Sequence, residues 1–143
     1  MHVSSRDEPA RDVGLLFLRV AGGLFLLWVH GLPKLLDFTA QLQLIEDAFH
    51  LGAHLTLILA IFAEVVCPLL IVAGLLARLA CVPILFVLLV ALLVVHPQWS
   101  VAEGQFGWLL LILFATVFIA GPGRLAISVR LPGVLRYAWS PPS

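Results

Sequence analysis

His30 and Lys34 stand one helical turn apart at the end of the apolar stretch "VAGGLFLLWVHGLPKLLDF" (20–38). On a straight helix they share a face with Arg19, Gly22, Gly23 and Leu26. Glu64 interrupts a second apolar run, and His96 closes a third. Carboxylates and imidazoles hold and pass protons, while imidazole and ammonium groups donate hydrogen bonds to a carbonyl. An ionisable group within a membrane-spanning helix costs at least about 2.5–3.5 kcal/mol, so such groups face the protein interior or mark a function. The spacing places Arg19 within about 7–8 Å of Glu64 in depth, a gap that an extended guanidinium can close. The plain alternative is an Arg19 that snorkels to the nearer surface.

Four of the five histidines gather on one side. His30 and His96 fall at the same expected depth, and Lys34 lies one turn above His30. His54 and Glu103 begin the following apolar segments on that side. Arg19, His30, Lys34, Glu64, His96 and Glu103 are therefore the candidate lining of one polar pocket. Such a cluster could hold a quinone head group, a haem or a metal ion. The metal set would be His30, His54 and His96, although no HExxH spacing supports it. Pro68 removes the amide that would bond the Glu64 carbonyl, which predicts a kink there and one more free acceptor. Gly22 and Gly23 would let a neighbouring backbone approach closely. No residue is assigned a catalytic role by these patterns. A polar network that only fixes helix packing would read the same way.

These side chains need elements to carry them, and the composition says which. Of 143 residues, 62% are hydrophobic and 11% charged, and the mean hydropathy is +1.13. Soluble domains carry about 25% charged residues. The chain therefore reads as all-α, one membrane-embedded domain over 1–143. Eight basic and eight acidic residues cancel, which argues against a nucleic-acid partner. Four segments, 14–36, 54–77, 79–96 and 105–121, can span a hydrocarbon core of about 30 Å. The first is too long for a cleaved secretory leader. Pro83 is expected in the first turn of the third segment and Pro97 stops it. Arg6, Arg11, Arg19, Arg78, Arg124, Arg130 and Arg136 fall on one side and Lys34 alone on the other. That asymmetry predicts a four-helix bundle with both termini in the cytoplasm.

The connection 37–53, "DFTAQLQLIEDAFHLGA", repeats Phe38, Leu42, Ile45 and Phe49 at helical spacing. It reads as a short amphipathic outer helix between the first two spans, capped by Asp37 and placed to act as a lid. Arg130, Arg136, Tyr137 and Trp139 suit the cytoplasmic interface. Arg78 and Arg124 are expected together at that face, in a structural role. Cys67 and Cys81 should differ in depth by about 10 Å, too far for a disulfide, and read as free thiols.

Several of these stretches resemble one family. "AEVVCPLLIVAGLLARLA" (63–80) is similar to the second-helix signature of the DoxX family, an acid followed by a G-L-L-x-R turn. "HGLPKLL" (30–36) is similar to its HG-x-x-KL, "RVAGGLFLL" (19–27) to its Arg-x-x-x-Gly opening, and "AGPGRLAIS" (120–128) to its GPGR-x-S-L-D close. The resemblance covers about 14 to 128. It implies a four-helix integral membrane protein of a bacterial or archaeal plasma membrane. Some members resemble a subunit of thiosulfate:quinone oxidoreductase, and others go with complexes that handle thiol and oxidative stress. Arg19, His30, Lys34, Glu64, Arg78 and Arg124 fit by position. The family's acid at the start of helix 4 falls at Glu103 or Gln105, and its final Asp corresponds to Ser128.

Three functions follow as expectations. The first is an accessory redox subunit that handles quinone and works with a soluble sulfur, thiol or oxidative-stress enzyme. The second is a non-enzymatic membrane anchor for soluble redox enzymes. The third is a small-molecule-binding or transport protein. A soluble redox partner or a homo-oligomer is expected in each. Without a nucleotide-binding loop or an iron–sulfur framework in the sequence, a complete redox enzyme is not expected from this chain alone.

Overall fold

The computed structural model describes residues 7–127, and those residues are all-helical, without a strand. Expectations for Arg6, Ser128, Arg130, Arg136, Tyr137 and Trp139 lie outside the described residues. Three helices are long and apolar enough to cross a membrane: α1 (Glu8–Leu36), α3 (Ala53–Ala73) and α4 (Ala77–Val95). Between the first two lies the short α2 (Phe38–Leu44). The last, α5 (Gln105–Ala120), has 16 apolar-dominated residues, about 24 Å of helix. Helix α1 packs on α3, α3 on α4, α4 on α5, and α5 closes back on α1. Leu26, Cys67, Ile71, Cys81, Ile84, Leu110, Phe114 and Val117 fill the centre. Phe17, Trp28, Leu69, Phe86, Ile112 and Ile119 point outward, exposed. So much outward-facing apolar surface is unfavourable in water and natural in lipid.

Two sets of helix ends differ from the expected ones, for a local reason. Helix α3 stops at Ala73, four residues early, because Gly74 adopts a left-handed conformation, φ 81°. Its amide bonds Ile71 O at 3.0 Å and the Leu75 amide bonds Leu70 O at 2.9 Å, a Schellman-type close that glycine permits without a Cβ penalty. Helix α4 then starts at Ala77, so Pro83 lies inside it and not in its first turn. The earlier turn also revises the cysteine argument. Cys67 and Cys81 now differ in depth by only about 3 Å; both are buried, free thiols of the core.

Three π-helical turns interrupt the long helices: Leu27–Gly31 in α1, Phe62–Val66 in α3 and Ala91–Val95 in α4. Each rotates the side chains beyond it relative to a straight helix, and such turns recur at functional sites. His30 lies in the first, Glu64 in the second, and His96 directly follows the third. The first two pack together. Gly31 rests on the Glu64 carbonyl so closely that a Cβ would overlap the oxygen. The carbonyl that Pro68 deprives of its α-helical donor is thus covered by α1. Gly23 lets α1 approach the Pro68 carbonyl and Val72 in α3, whereas Gly22 faces Leu113 of α5.

The 37–53 connection is helical only over Phe38–Leu44, and Asp37 makes no side-chain capping bond. Asp47 does the fastening instead. Its carboxylate accepts from the Leu51 amide (2.9 Å), the Gly52 amide (2.7 Å) and the Thr56 hydroxyl (2.8 Å). These bonds, the Thr56 hydroxyl first, hold its carboxyl below the usual carboxylate range. They tie the loop after α2 to the first turn of α3.

Candidate functional site

A cavity of about 350 Å³ lies under α2 and its following loop, against the outer flanks of α3 and α4. Lys34, Glu64 and His96 line it, from α1, α3 and the end of α4. Gln41, Glu46 and Thr56 add polar atoms, while Leu59, Ala60, Phe86, Val87, Val90 and Ala91 make apolar walls. Lys34 Nζ meets Glu64 Oε2 at 2.5 Å, with side-chain exposures of only 18% and 10%. Lys34 Nζ also reaches the His30 carbonyl at 3.5 Å. A buried ammonium–carboxylate pair of this kind requires good geometry to offset desolvation. It gives the cavity a charged, hydrogen-bonding floor beneath largely apolar walls. His96 stacks on Trp99, ring centroids 3.8 Å apart and planes within 5°, which fixes the imidazole at the cavity wall.

Three of the six expected pocket residues do not line that cavity. Arg19 is fully buried at the far end of α3, not beside Glu64. Its Nη1 donates to Ile71 O (2.9 Å) and Val72 O (3.2 Å), and its Nη2 to Leu125 O (2.8 Å). The early end of α3 exposes those last-turn carbonyls, the negative end of the helix dipole, within reach of the guanidinium. Arg19 therefore neither pairs with Glu64 nor snorkels to a surface. His30 is turned by the π turn toward α5, where its ring lies 6.0 Å from that of Phe106, itself 5.3 Å from Phe25. Glu103 accepts from the Ser100 amide (2.7 Å) and hydroxyl (2.9 Å), while its own amide donates to Ser100 Oγ at 3.3 Å. This reciprocal capping box, with the backbone bond leading, keeps the Glu103 carboxyl below the usual range.

The proposed metal set is likewise dispersed. His54 is exposed, its ring 6.3 Å from Phe38. Among the described residues no three His, Cys, Asp or Glu side chains gather as metal ligands. His50 and His54 have a four-residue spacing in sequence, but His50 lies before α3 at φ 54° and the pair is not on one helix.

Arg78 and Arg124 mark the opposite end of the molecule from Lys34. Arg78 Nη2 donates to Ile119 O at 3.2 Å, and Gly121 leaves room for its guanidinium. Arg124 pairs with Glu8 at 3.1 Å, and its amide donates to the buried Asp12 at 3.2 Å. Both arginines thus close the end of α5, one onto α4 and the other onto α1.

Sequence reasoning overlooked Gln41 and Thr56, which enter the site through a lid fold that α-helical periodicity does not describe. The "SVAE" pattern at 100–103 was a legible sign that Glu103 is a capping residue. A protein-family model, DoxX, matches residues 14–97, which contain Lys34, Glu64 and His96. No curated protein and no solved structure matches the chain.

Proposed function

The chain belongs to the DoxX family of membrane proteins, and from that premise we propose that it is the membrane subunit of a quinone-linked redox system. The observation that carries this reading is the chemistry of the cavity: a Lys34–Glu64 floor and a His96 wall, with Gln41, Glu46 and Thr56 at the lid side, in a chamber whose remaining walls are aliphatic and aromatic. A quinone has that character inverted, a flat apolar ring with two carbonyl acceptors. The Lys34 ammonium and the Gln41 side-chain amide supply donors for the carbonyls, and Leu59, Ala60, Val87 and Val90 supply ring contacts. The His96 imidazole and the Lys34 ammonium, the latter beside the Glu64 carboxylate, are groups that can pass the protons that accompany reduction. The electrons come from a soluble partner enzyme, since no electron-carrying centre is encoded in the pattern of this sequence.

Titration with a decyl-tailed benzoquinone tests this. Trp99 fluorescence of the purified protein should quench saturably, and a Trp99→Phe control should lose most of that signal. The variant Lys34→Met/Glu64→Gln should bind at least about tenfold more weakly, the loss expected for charge-assisted hydrogen bonds worth about 1.5–3 kcal/mol. His30→Ala should bind normally. Unchanged binding by the double variant would overturn the reading. A wild-type protein that binds no quinone but retains a soluble enzyme through purification would support the anchor instead.

The same proposal includes α5 as a fourth crossing, with both termini in the cytoplasm of a bacterial or archaeal cell. Among the described residues Lys34 is the one Lys or Arg at its end, while Arg78 and Arg124 share the other. Cysteines placed at Gln43 and Gln98 should react with an impermeant maleimide applied to cells, and one at Ala10 should not. The native thiols are buried and should stay silent. The reverse labelling pattern would reject the orientation.

A further inference from the structure

The cavity under the lid is open on its side, and what frames the opening is apolar. Leu44, Phe49, Leu59 and Phe86 line it and are also exposed on the outer surface, Phe86 by 57% and Phe49 by 51%. Phe86 lies near the middle of α4, about 14 Å from its Val95 end, and Leu59 lies about 9 Å along α3 from Ala53. In a spanning helix those depths face hydrocarbon, not water. The lid loop reaches down to this level: Phe49 stacks on Phe86 with centroids 6.0 Å apart and planes within 17°.

The lid is held unequally on its two sides. Toward α3 the Asp47 carboxylate anchors it through Leu51, Gly52 and Thr56. Toward α4 the Phe49–Phe86 stack is its aromatic contact, a weak interaction that thermal motion can part. The chamber is also small. About 350 Å³ lies near the lower end of the range for ligand pockets and holds a substituted ring but not a long chain.

We propose that the site loads sideways from the bilayer, between α3 and α4, with the Phe49–Phe86 stack as its gate. Its ligand is a lipid-dissolved molecule with a compact, carbonyl-bearing head and a long apolar tail. The head sits at the Lys34–Glu64 floor, and the tail runs out past Phe86 into the surrounding lipid. This rests on the quinone-site reading given above and adds the route and the tail to it. A ligand held in this way never has to bring its tail into water, so the lid can stay tied to α3 during exchange.

A removable bridge across the gate tests the route. In proteoliposomes, Phe49→Cys/Phe86→Cys is expected to be bridged by a bifunctional methanethiosulfonate reagent, whose disulfide links a reductant removes. Bridged protein should take up a decyl-tailed benzoquinone from the bilayer at least about tenfold more slowly than the same protein after reduction. Phe86→Ala should take it up faster than wild type. Uptake at the reduced rate by the bridged protein would overturn the gate, as would cysteines that fail to bridge in the folded variant. If binding is lost in Lys34→Met/Glu64→Gln while the bridge has no effect, the site stands and only the lateral route falls. A wild-type protein that binds no quinone removes both.

Discussion

Replacing Lys34 with Met alone, or Glu64 with Gln alone, is expected to cost about 3–5 kcal/mol of folding stability, and replacing both together is expected to cost far less. The reason lies in what each single change leaves behind. The two side chains are 18% and 10% exposed and in direct contact. Removing the ammonium leaves a carboxylate in an apolar wall, and neutralising the carboxylate leaves an ammonium there. Removing both leaves a methionine thioether and an amide of similar volume, with no charge to solvate. Unfolding in mixed detergent micelles, followed by circular dichroism, gives the four stabilities of the cycle. A favourable coupling of at least about 2 kcal/mol is expected for groups this close. Strictly additive losses would mean that the pair is not formed in the folded protein. The cycle also separates fold from ligand, because the double variant is expected to be well folded and yet unable to hold a quinone.

Both members of that pair were visible in the sequence as ionisable residues set in apolar runs, but their partnership was not. Straight-helix geometry put His30 and Lys34 on one face with Arg19 and aimed that face at Glu64. The π turn at Leu27–Gly31 breaks the premise, sending His30 to Phe106 and Lys34 to Glu64. Nothing in residue type announces a π turn, which forms where packing outweighs one helical hydrogen bond. Depth arithmetic failed at the other end for a similar reason. It ran α3 to residue 77, whereas Gly74 ends the helix at Ala73 and brings its carbonyls level with Arg19. The glycine was in view, and its left-handed conformation is the ordinary stop signal of a helix. The three apolar crossings were legible because hydropathy over about 20 residues averages out such details. The lid was legible as amphipathic but not as two pieces, since its second half is shaped by the Asp47 carboxylate and not by periodicity.

Arg19→Leu is expected to be the most destabilising single change outside the cavity, by about 4 kcal/mol or more. The side chain is completely buried and places three hydrogen bonds on carbonyls: Ile71 and Val72 at the end of α3, and Leu125 in the segment after α5. Each bond from a charged donor contributes about 1.5–3 kcal/mol, and a cation at a helix C-terminus adds to it. Leucine matches the apolar stem but removes the donor to the Val72 and Leu125 carbonyls and leaves Ile71 O with the Gly74 amide alone. Gly74 explains why nothing else can take the position, since a Cβ there would strike the guanidinium and Ala126. Arg19→Lys should recover about half of the loss, because an ammonium is a point donor and cannot serve α3 and the Leu125 carbonyl at once. The readout that distinguishes this role is binding per folded molecule. Quinone-analogue affinity of Arg19→Lys should match wild type even as its unfolding midpoint drops, because the guanidinium clamps the end of the bundle remote from the cavity. An Arg19→Lys protein that keeps its stability and loses its ligand would move Arg19 back to the pocket, and with it the reason for assigning that floor to Lys34 and Glu64.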